Sequence, residues 1–250
     1  MAGFLRGRHR VRMAANAQDI VAAQRLRFRT LIEGRDAADR PDGLDADAFD
    51  AICEHVLVEE IKTGKLVCCF RFLPLTGSEI SRSYSAQYYD LSALEAYEGR
   101  MVEMGRFCID PEHLDADILR IAWSAMTAYV DENNVDLLFG CSSFEGTLAD
   151  AYMDAFALLK ERHLAPKRWL PRPKAPKIFN FAKKLGLRKP NLKAAMMGMP
   201  PLLRTYLVMG GWVSDHAVVD NDLNTLHVFT GLEVKRVPKG RARLLRGSAG

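Results

Sequence analysis

The stretch that decides the fold is Glu103-Met-Gly-Arg106-Phe107-Cys108-Ile109, in which two charged residues stand inside an apolar run. Arg71 lies upstream in the equally apolar Cys-Cys-Phe-Arg-Phe-Leu, and the pair Asp47 and Asp50 precedes it. A charge within apolar strand sequence is costly unless it is paired or used. We therefore expect one carboxylate and two guanidiniums on neighbouring strands, facing one cleft as a base and as donors that orient an anion.

Length and composition favour one ordinary globular domain. A chain of 250 residues with 48% hydrophobic residues can bury a full core. We predict a single domain over 1–250, with a basic insertion at 160–200 and a flexible tail at 238–250. The longest apolar stretch, 202–213, is too short to span a bilayer. No apolar segment follows the N-terminal arginines, so we expect no secretory signal and a cytoplasmic protein.

Hydrophobic periodicity predicts an α/β fold with a mixed, mostly antiparallel central sheet flanked by helices. Strand patterns fall at 55–61, 66–75, 101–109, 135–143 and 226–237, and helical patterns at 19–33, 115–132, 147–162 and 200–209. The first two strands are joined by a short polar link with Gly64, which suits an antiparallel hairpin. The order strand, helix, strand from 101 to 143 is consistent with a crossover unit.

Positive charge is concentrated in one block. Residues 160–193 hold twelve Lys and Arg against a single acid, Glu161, although the net charge of the chain is only +4. Five prolines argue against one continuous helix, so we predict a basic, proline-rich helical insertion. The block is either a solvated basic face or a docking surface for an anionic partner. The residues predicted to dock such a partner are Lys167, Arg168, Lys183, Lys184, Arg188 and Lys189.

The cysteines predict neither a disulfide nor a metal site. There are five of them, with no C-x-x-C spacing: Cys53, Cys68, Cys69, Cys108 and Cys141. We expect buried free thiols and no bound cofactor.

Several motifs occur in an order that resembles the acyl-homoserine-lactone synthases and, more closely, the bacterial ornithine N-acyltransferases. The resemblance runs from about Arg25 to Val234. Its motifs are Arg25 with Phe28, Asp47-Ala-Phe-Asp50 before Cys53-Glu-His55, Arg71 with Phe-Leu-Pro, Glu103-Met-Gly-Arg106, and Phe139-Gly-Cys141-Ser142-Ser143. A last segment, Pro200-Pro201-Leu-Leu-Arg204-Thr-Tyr206-Leu with Gly211-Trp212-Val, resembles the C-terminal signature of the ornithine enzymes, which the lactone synthases lack.

The resemblance implies a GNAT-like acyltransferase fold. It also implies transfer of a 3-hydroxyacyl chain from acyl carrier protein to the α-amino group of L-ornithine, giving lyso-ornithine lipid. The donor would carry its acyl chain on 4'-phosphopantetheine. Acylation of another amino acid such as glutamine, or acyl-homoserine-lactone synthesis, is the alternative. The implied partners are acyl carrier protein, L-ornithine and an anionic membrane surface, with peripheral binding at the inner membrane and no nucleic acid.

One stretch departs from the relatives that use coenzyme A. Where those proteins carry a glycine-rich phosphate loop, this chain has Asp110-Pro-Glu-His-Leu-Asp-Ala-Asp117. Four carboxylates there would repel a pyrophosphate. We therefore expect a protein-borne donor.

Roles for the site residues follow from this reading. N-acylation needs a base for the amine, and Glu103 is the candidate, with Arg106 as its catalytic partner. Arg71 and Arg106 would clamp the acceptor carboxylate, and Asp47 and Asp50 its amines. The resemblance adds Arg25, Phe28, Phe107, Cys108, Cys141, Ser142 and Ser143 as substrate-binding residues, with backbone N–H groups near Phe107 and Cys141 facing the thioester oxygen.

Structural alternatives stand beside these roles. Glu103 could have a purely structural role, as the ion-pair partner of Arg106 or Arg71. Asp47 and Asp50 could form salt bridges to Arg25 or Arg27, and Asp47 could cap a helix. A covalent intermediate on Cys141 or Cys108 is disfavoured, because no partner histidine is evident. A non-catalytic basic module for membrane or nucleic acid is a different class of function. Charges inside strand sequence argue against that class.

Overall fold

A computed structural model describes residue 1 and residues 3–33, 40–113 and 115–247. Its strands are β1 Phe4–Arg6, β2 His9–Met13, β3 Glu54–Glu60, β4 Leu66–Leu75, β5 Tyr89–Asp90, β6 Arg100–Ile109, β7 Val135–Glu145, β8 Arg172–Pro173, β9 Ile178–Phe179, β10 Trp212–Val213, β11 Ala217–Asp220 and β12 Thr225–Glu233. Its α-helices are α1 Ala17–Arg27, α2 Ala116–Glu132, α3 Met153–Arg162, α4 Phe181–Lys184, α5 Leu192–Gly198, α6 Pro201–Val208 and α7 Lys239–Gly247. The chain divides into two compact units.

The first unit comprises 1–74, 104–135 and 239–250. Its strands β1, β2, β3 and β4 pair in that order, and every ladder among them is antiparallel. Helix α1 begins at the N-cap Asn16, whose side chain accepts from the Asp19 N–H. The helix packs Ala23 and Leu26 against Leu57 of β3 and Cys69 of β4, and it continues as a wider π-helical turn over Phe28–Ile32.

The second unit comprises 75–103 and 136–238. Strands β7, β12, β11 and β9 pair in that order, all antiparallel, and β10 also pairs with β12. Every residue of β12 except Glu233 is buried, so both faces of the strand are covered although it contains Thr225, His227 and Thr230. A core around Phe144, Phe156 and Phe181 fills the space between the sheet and α3. The Phe156 and Phe181 rings stack with centroids 5.2 Å apart.

The predicted fold class is confirmed: antiparallel ladders dominate and helices flank them. The hairpin predicted at 55–75 is formed by β3 and β4. Two features differ from expectation. The basic segment contains helices α4 and α5 but also β8 and β9, which pair with β5 and β11. The tail expected to be flexible is helical over Lys239–Gly247, where Arg246 pairs with Asp131, and positions 248–250 lie outside the described residues.

Among the described residues, no helix combines the length and apolar character needed to cross a bilayer. Three of the five thiols, Cys68, Cys69 and Cys108, are buried, and the other two are half-buried. All five are free.

Gly231 on β12 provides a test of the packing in the second unit. A Cβ at this position would lie 2.5 Å from ring atoms of Trp212. We predict that Gly231→Ala lowers the free energy of unfolding by about 1–3 kcal/mol, because a well-packed core does not admit an extra methyl group. Urea unfolding followed by circular dichroism measures this change.

Gly240 is the matched control, since a Cβ there meets nothing within 4 Å. It lies in α7, where alanine is the better helix former, so Gly240→Ala should leave stability unchanged or slightly raised. Equal losses in both variants would contradict the packing argument.

Candidate active site

The short turn that carries Asp47 and Asp50 orients both carboxylates. Asp47 is the N-cap of a 3₁₀ turn over Ala48–Ala51, and its Oδ1 accepts from the Phe49 N–H at 2.9 Å. Asp50 Oδ2 accepts in return from the Asp47 N–H at 3.2 Å. This is the reciprocal arrangement of a capping box. The predicted alternative of a helix cap at Asp47 is therefore present.

Arg71 joins this turn to β4. Its Nη1 donates to Asp47 Oδ1 and to Asp50 Oδ1, each at 2.7 Å, and its Nη2 donates to Asp47 Oδ2 at 2.8 Å. The guanidinium also lies 5.5 Å from the centre of the Phe49 ring. Such forked contacts hold the guanidinium in one orientation. Arg71 is thus held by Asp47 and Asp50, for which the sequence had offered Arg25 or Arg27 as salt-bridge partners.

Two further buried or half-buried arginines join this network in the first unit. Arg27 on α1 donates to Asp50 Oδ1 at 2.6 Å and to Asp45 Oδ2 at 3.0 Å. Arg106 on β6 lies 3.0 Å from Asp45 and 3.4 Å from Asp47. We call Arg27, Asp45, Asp47, Asp50, Arg71 and Arg106 the arginine–aspartate network. Arg40 also pairs with Asp45, at 2.6 Å from its Oδ1, so four arginines face the three aspartates.

Most of this network is closed to solvent. The Arg27 side chain is 1% exposed, and Asp45 and Arg71 are buried as well. Asp47 is the most exposed member, at 22%, and Arg106 is the next. Only these two residues offer a polar surface that a ligand could reach without breaking the network.

Ion pairing outweighs burial in setting the pKa values of Asp47 and Asp50. Burial alone would raise their pKa values, but Arg27 lowers the pKa of Asp50 and Arg71 lowers the pKa of Asp47. A carboxyl with a lowered pKa stabilises the fold fully above its unfolded pKa of about 3.9. That stability is lost as the pH falls toward the lowered folded value. His55, beside Asp50, has its pKa lowered mainly by burial and is a core histidine.

Backbone geometry singles out Arg106. Its φ is 52°, in the left-handed region that residues other than glycine seldom adopt. The neighbours Gly105 and Phe107 are half-buried, whereas Met104 and Cys108 are buried. Arg106 therefore lies in a half-buried stretch of β6 with a backbone conformation whose cost is typical of functional positions.

The remaining predicted residues of this unit lie in different surroundings. Arg25 is exposed on α1, while Phe28 is buried. Phe107 is half-buried, with its ring 5.8 Å from that of Phe70. Cys108 is a core thiol beside Cys69, and burial raises its pKa well above the ordinary value. A neutral, enclosed thiol is a poor nucleophile, which argues against an acyl-enzyme at Cys108.

Glu103, in the second unit, is buried and holds a turn between β4 and β5. Its Oε2 accepts from the Tyr84 N–H at 2.7 Å. Its Oε1 accepts from the Ser85 N–H at 2.7 Å and from the Ser85 hydroxyl at 2.5 Å. The Ser85 oxygen is also 3.4 Å from the Cys141 sulfur on β7. Glu103, Ser85 and Cys141 therefore form a continuous polar chain inside this unit.

The end of β7 separates its three predicted residues by face. Cys141 and Ser143 alternate with Ser142 along the strand. Ser142 is buried, and its oxygen accepts from the Thr230 hydroxyl of β12 at 2.9 Å. Ser143 is exposed. Of the three, only Cys141 contacts the polar chain of Glu103.

The six predicted docking residues are all exposed, and some have internal partners. Arg168 lies over the Trp169 ring and 3.7 Å from Glu233. Arg188 is 3.3 Å from Asp154 on α3. Lys184 lies 5.4 Å from the centre of the Phe179 ring.

The sequence offered Arg27 only as an alternative salt-bridge partner of the two aspartates, and the pair of Arg27 with Asp50 is formed. Sequence reasoning missed Asp45 as a network member and Ser85 as the neighbour of Glu103. A signal existed for Arg27, because it follows Ala23 by four positions on the buried face of α1. No sequence signal pointed to Ser85, because it lies in a weakly patterned stretch that was predicted to be a lid or a short helix.

We predict that Arg27→Met destabilises the protein by about 3–5 kcal/mol, because Asp45 and Asp50 lose a buried partner. Thermal and urea unfolding measure the loss. Arg25→Met is the control on the same helix, and its exposed side chain should change stability by no more than about 0.5 kcal/mol. A loss for Arg27→Met no larger than for Arg25→Met would show that the network does not hold the turn.

Comparison with known proteins identifies the family. Residues 24–124 match the model of the acetyltransferase (GNAT) domain. The chain is 34% identical over 231 residues to an L-ornithine N(alpha)-acyltransferase of Rhodobacter capsulatus, covering 88% of each protein. It is 30% identical over 239 residues to an L-ornithine N(alpha)-acyltransferase of Brucella abortus, covering 91% of this chain and 85% of the other.

A solved structure supports the fold. The CoA-dependent acyl-homoserine lactone synthase BjaI, with MTA, superposes with a TM-score of 0.54 at 13% identity, covering 97% of this chain and 90% of the other. At that identity the likeness concerns the fold alone. The two acyltransferase relatives give the family: the chain is an acyltransferase and belongs to the L-ornithine N(alpha)-acyltransferases.

Proposed function

We propose that this protein transfers a 3-hydroxyacyl chain from acyl carrier protein to the α-amino group of L-ornithine, giving lyso-ornithine lipid. The observation that carries the proposal is the 34% identity, over 88% of the chain, to a relative named L-ornithine N(alpha)-acyltransferase. In the reaction the amine nitrogen bonds to the acyl carbon and the carbon–sulfur bond breaks. The thiol of 4'-phosphopantetheine leaves with the carrier protein.

The accessible side of the arginine–aspartate network is the proposed contact for the acceptor. Ornithine carries one carboxylate and a side-chain ammonium, which are complementary to the guanidinium of Arg106 and the carboxylate of Asp47. The other predicted clamps, Arg71 and Asp50, are buried in internal pairs, so their part is to hold Asp47 in position. This division supports binding through two members and positioning through the rest.

Glu103 is the proposed base, and Ser85 is the proposed relay to it. The amine must lose a proton as it attacks the thioester. The Ser85 hydroxyl donates to Glu103 at 2.5 Å, so its oxygen can accept a proton from the amine while its own proton moves to the carboxylate. The backbone N–H groups of Tyr84 and Ser85 fix the carboxylate for this transfer.

A protein-borne donor is supported by the start of α2. In relatives that use coenzyme A, a helix start of this kind cradles phosphate with free N–H groups. Here Asp115 caps the helix and accepts from the Asp117 N–H at 2.9 Å. A pyrophosphate would have to displace that aspartate from the N–H group and compete with Asp110 and Glu112 for Lys65, which pairs with both. The exposed basic residues Lys167 and Arg168 are proposed to dock the acidic carrier protein.

Purified protein incubated with matched donors and acceptors tests the proposal. The donors are a 3-hydroxyacyl carrier protein and the same acyl chain on coenzyme A, and the acceptors are ornithine, glutamine and a homoserine derivative. We expect N-acyl ornithine by mass spectrometry and a higher kcat/KM with the carrier protein. Equal kcat/KM for the two donors would contradict the inference, drawn from the start of α2, that the donor is protein-borne. Product from glutamine or homoserine, without product from ornithine, would move the protein to a sister activity.

We predict that Glu103→Gln lowers kcat by about a hundredfold or more, as expected for loss of a general base. Ser85→Ala should also lower kcat, with KM for ornithine nearly unchanged, because the backbone donors to Glu103 remain. Steady-state kinetics at several pH values measures both effects, with thermal melting as a check on folding.

Ser83→Ala is the matched control for the relay. Ser83 lies in the same segment and is buried, but its hydroxyl donates to the Ile80 carbonyl. Its loss should leave the kcat profile against pH unchanged. If Ser83→Ala and Ser85→Ala lower kcat alike, the role of Ser85 is structural.

A further inference from the structure

One surface of the second unit exposes large apolar side chains among basic ones. It spans residues 183–197, from the end of α4 through α5, and we call it the α4–α5 surface. Leu187 is 99% exposed and Met197 is 79% exposed, and Leu192 and Met196 are exposed as well. The same stretch contains Lys183, Lys184, Arg188, Lys189 and Lys193 and not one acidic residue.

The apolar residues are exposed although the segment around them is well anchored. Phe181, Leu185, Ala195 and Met199 are buried in the core of the second unit. Asp154 on α3 accepts from the Asn191 N–H at 3.1 Å and pairs with Arg188 at 3.3 Å. Both ends of the surface are therefore fixed to the same body, and its exposed leucines and methionines are held outward.

We infer that the α4–α5 surface inserts into the interfacial layer of an anionic lipid bilayer. Its apolar side chains would enter the boundary between headgroups and acyl chains, and the lysines beside them would meet lipid phosphates. Singly exposed apolar residues are common on soluble proteins. Leu187, Leu192, Met196 and Met197 instead lie within eleven residues of one another, among basic side chains, which is the pattern of interfacial binding.

Charge and shape favour lipid over carrier protein as the occupant. An acidic protein partner would satisfy the lysines but would need an apolar pocket for Leu187, which projects from the turn at Gly186. A bilayer accepts projecting apolar side chains without a matching pocket. This inference concerns a surface apart from the arginine–aspartate network and Glu103, so it does not depend on ornithine as the acceptor.

Flotation of the whole protein with vesicles tests the inference. The vesicles are phosphatidylcholine alone and phosphatidylcholine mixed with phosphatidylglycerol, each at low and high salt. We expect binding to the anionic vesicles, weakened by salt because exposed charges are screened. The double variant Leu187→Ser with Met197→Ser should lower the partition coefficient on the order of tenfold or more, since each buried apolar side chain contributes substantially. A variant with Lys183, Lys184 and Lys189 changed to Gln should lose the preference for phosphatidylglycerol.

Ile61→Ser is the matched apolar control. Ile61 is 50% exposed, as Leu192 is, and it lies beside Lys62 and Lys65 but in the first unit. It should bind vesicles as the unaltered protein does. Absence of binding by the unaltered protein, or equal binding by the double variant, would overturn the inference.

Kinetics without lipid separates the two possible occupants. With a soluble short-chain donor on carrier protein, the double variant should retain its kcat and KM. A rise in KM for that donor, without vesicles present, would assign the α4–α5 surface to the carrier protein and overturn the lipid inference. The kinetic test measures the KM for the donor, and the flotation test measures binding to vesicles. Neither result depends on which amino acid is acylated.

Discussion

The need to neutralise buried arginines governs the first unit of this protein. Arg27 and Arg71 are almost completely removed from water, and an unpaired buried charge is among the costliest features a fold can contain. Three aspartates pair with Arg27, Arg71 and Arg106, and Asp45 pairs with Arg40 as well. Two of the three aspartates are fixed by their own capping box. The turn at Asp47–Asp50, strand β4 and helix α1 are thus tied together by charge as well as by apolar packing. A buried network of this kind specifies one arrangement more than it adds net stability.

Because its charges are paired internally, the network has few side-chain atoms that a ligand could contact. Asp47 and Arg106 carry the accessible atoms, and Arg106 does so from a strained backbone conformation inside β6. The buried members fix the orientation of the accessible ones, as preorganised binding sites require. Glu103, three residues earlier in the same strand, is held by the neutral donors of Tyr84 and Ser85. Within the same motif, Arg106 contacts Asp45 and Asp47.

The proposed reaction would place two requirements on this chain. Its acceptor, in the proposed reaction, is a small charged amino acid, and its product carries a long acyl chain. A polar, rigid site would suit the charged acceptor, and a lipid-binding surface would suit the acylated product. The exposed leucine and methionine side chains at α4 and α5 have no evident role in packing, because the buried face of the same segment already fills the core. The proposed binding to the bilayer interface would account for the exposure of these side chains.

Periodicity and the cost of buried charge are local properties of the chain, so they were enough to predict the class of fold, the hairpin at β3 and β4, and the charged residues within strands. The order of the motifs also indicated the family. Which charges meet became known from the folded structure. It paired Asp50 with the buried Arg27 and left the predicted Arg25 exposed, and it brought Ser85 to Glu103 across eighteen positions of sequence. It likewise showed strands within the basic block and a helix in the expected tail. The physical reason is that pairing depends on side chains from distant segments sharing one buried space, which no local pattern encodes.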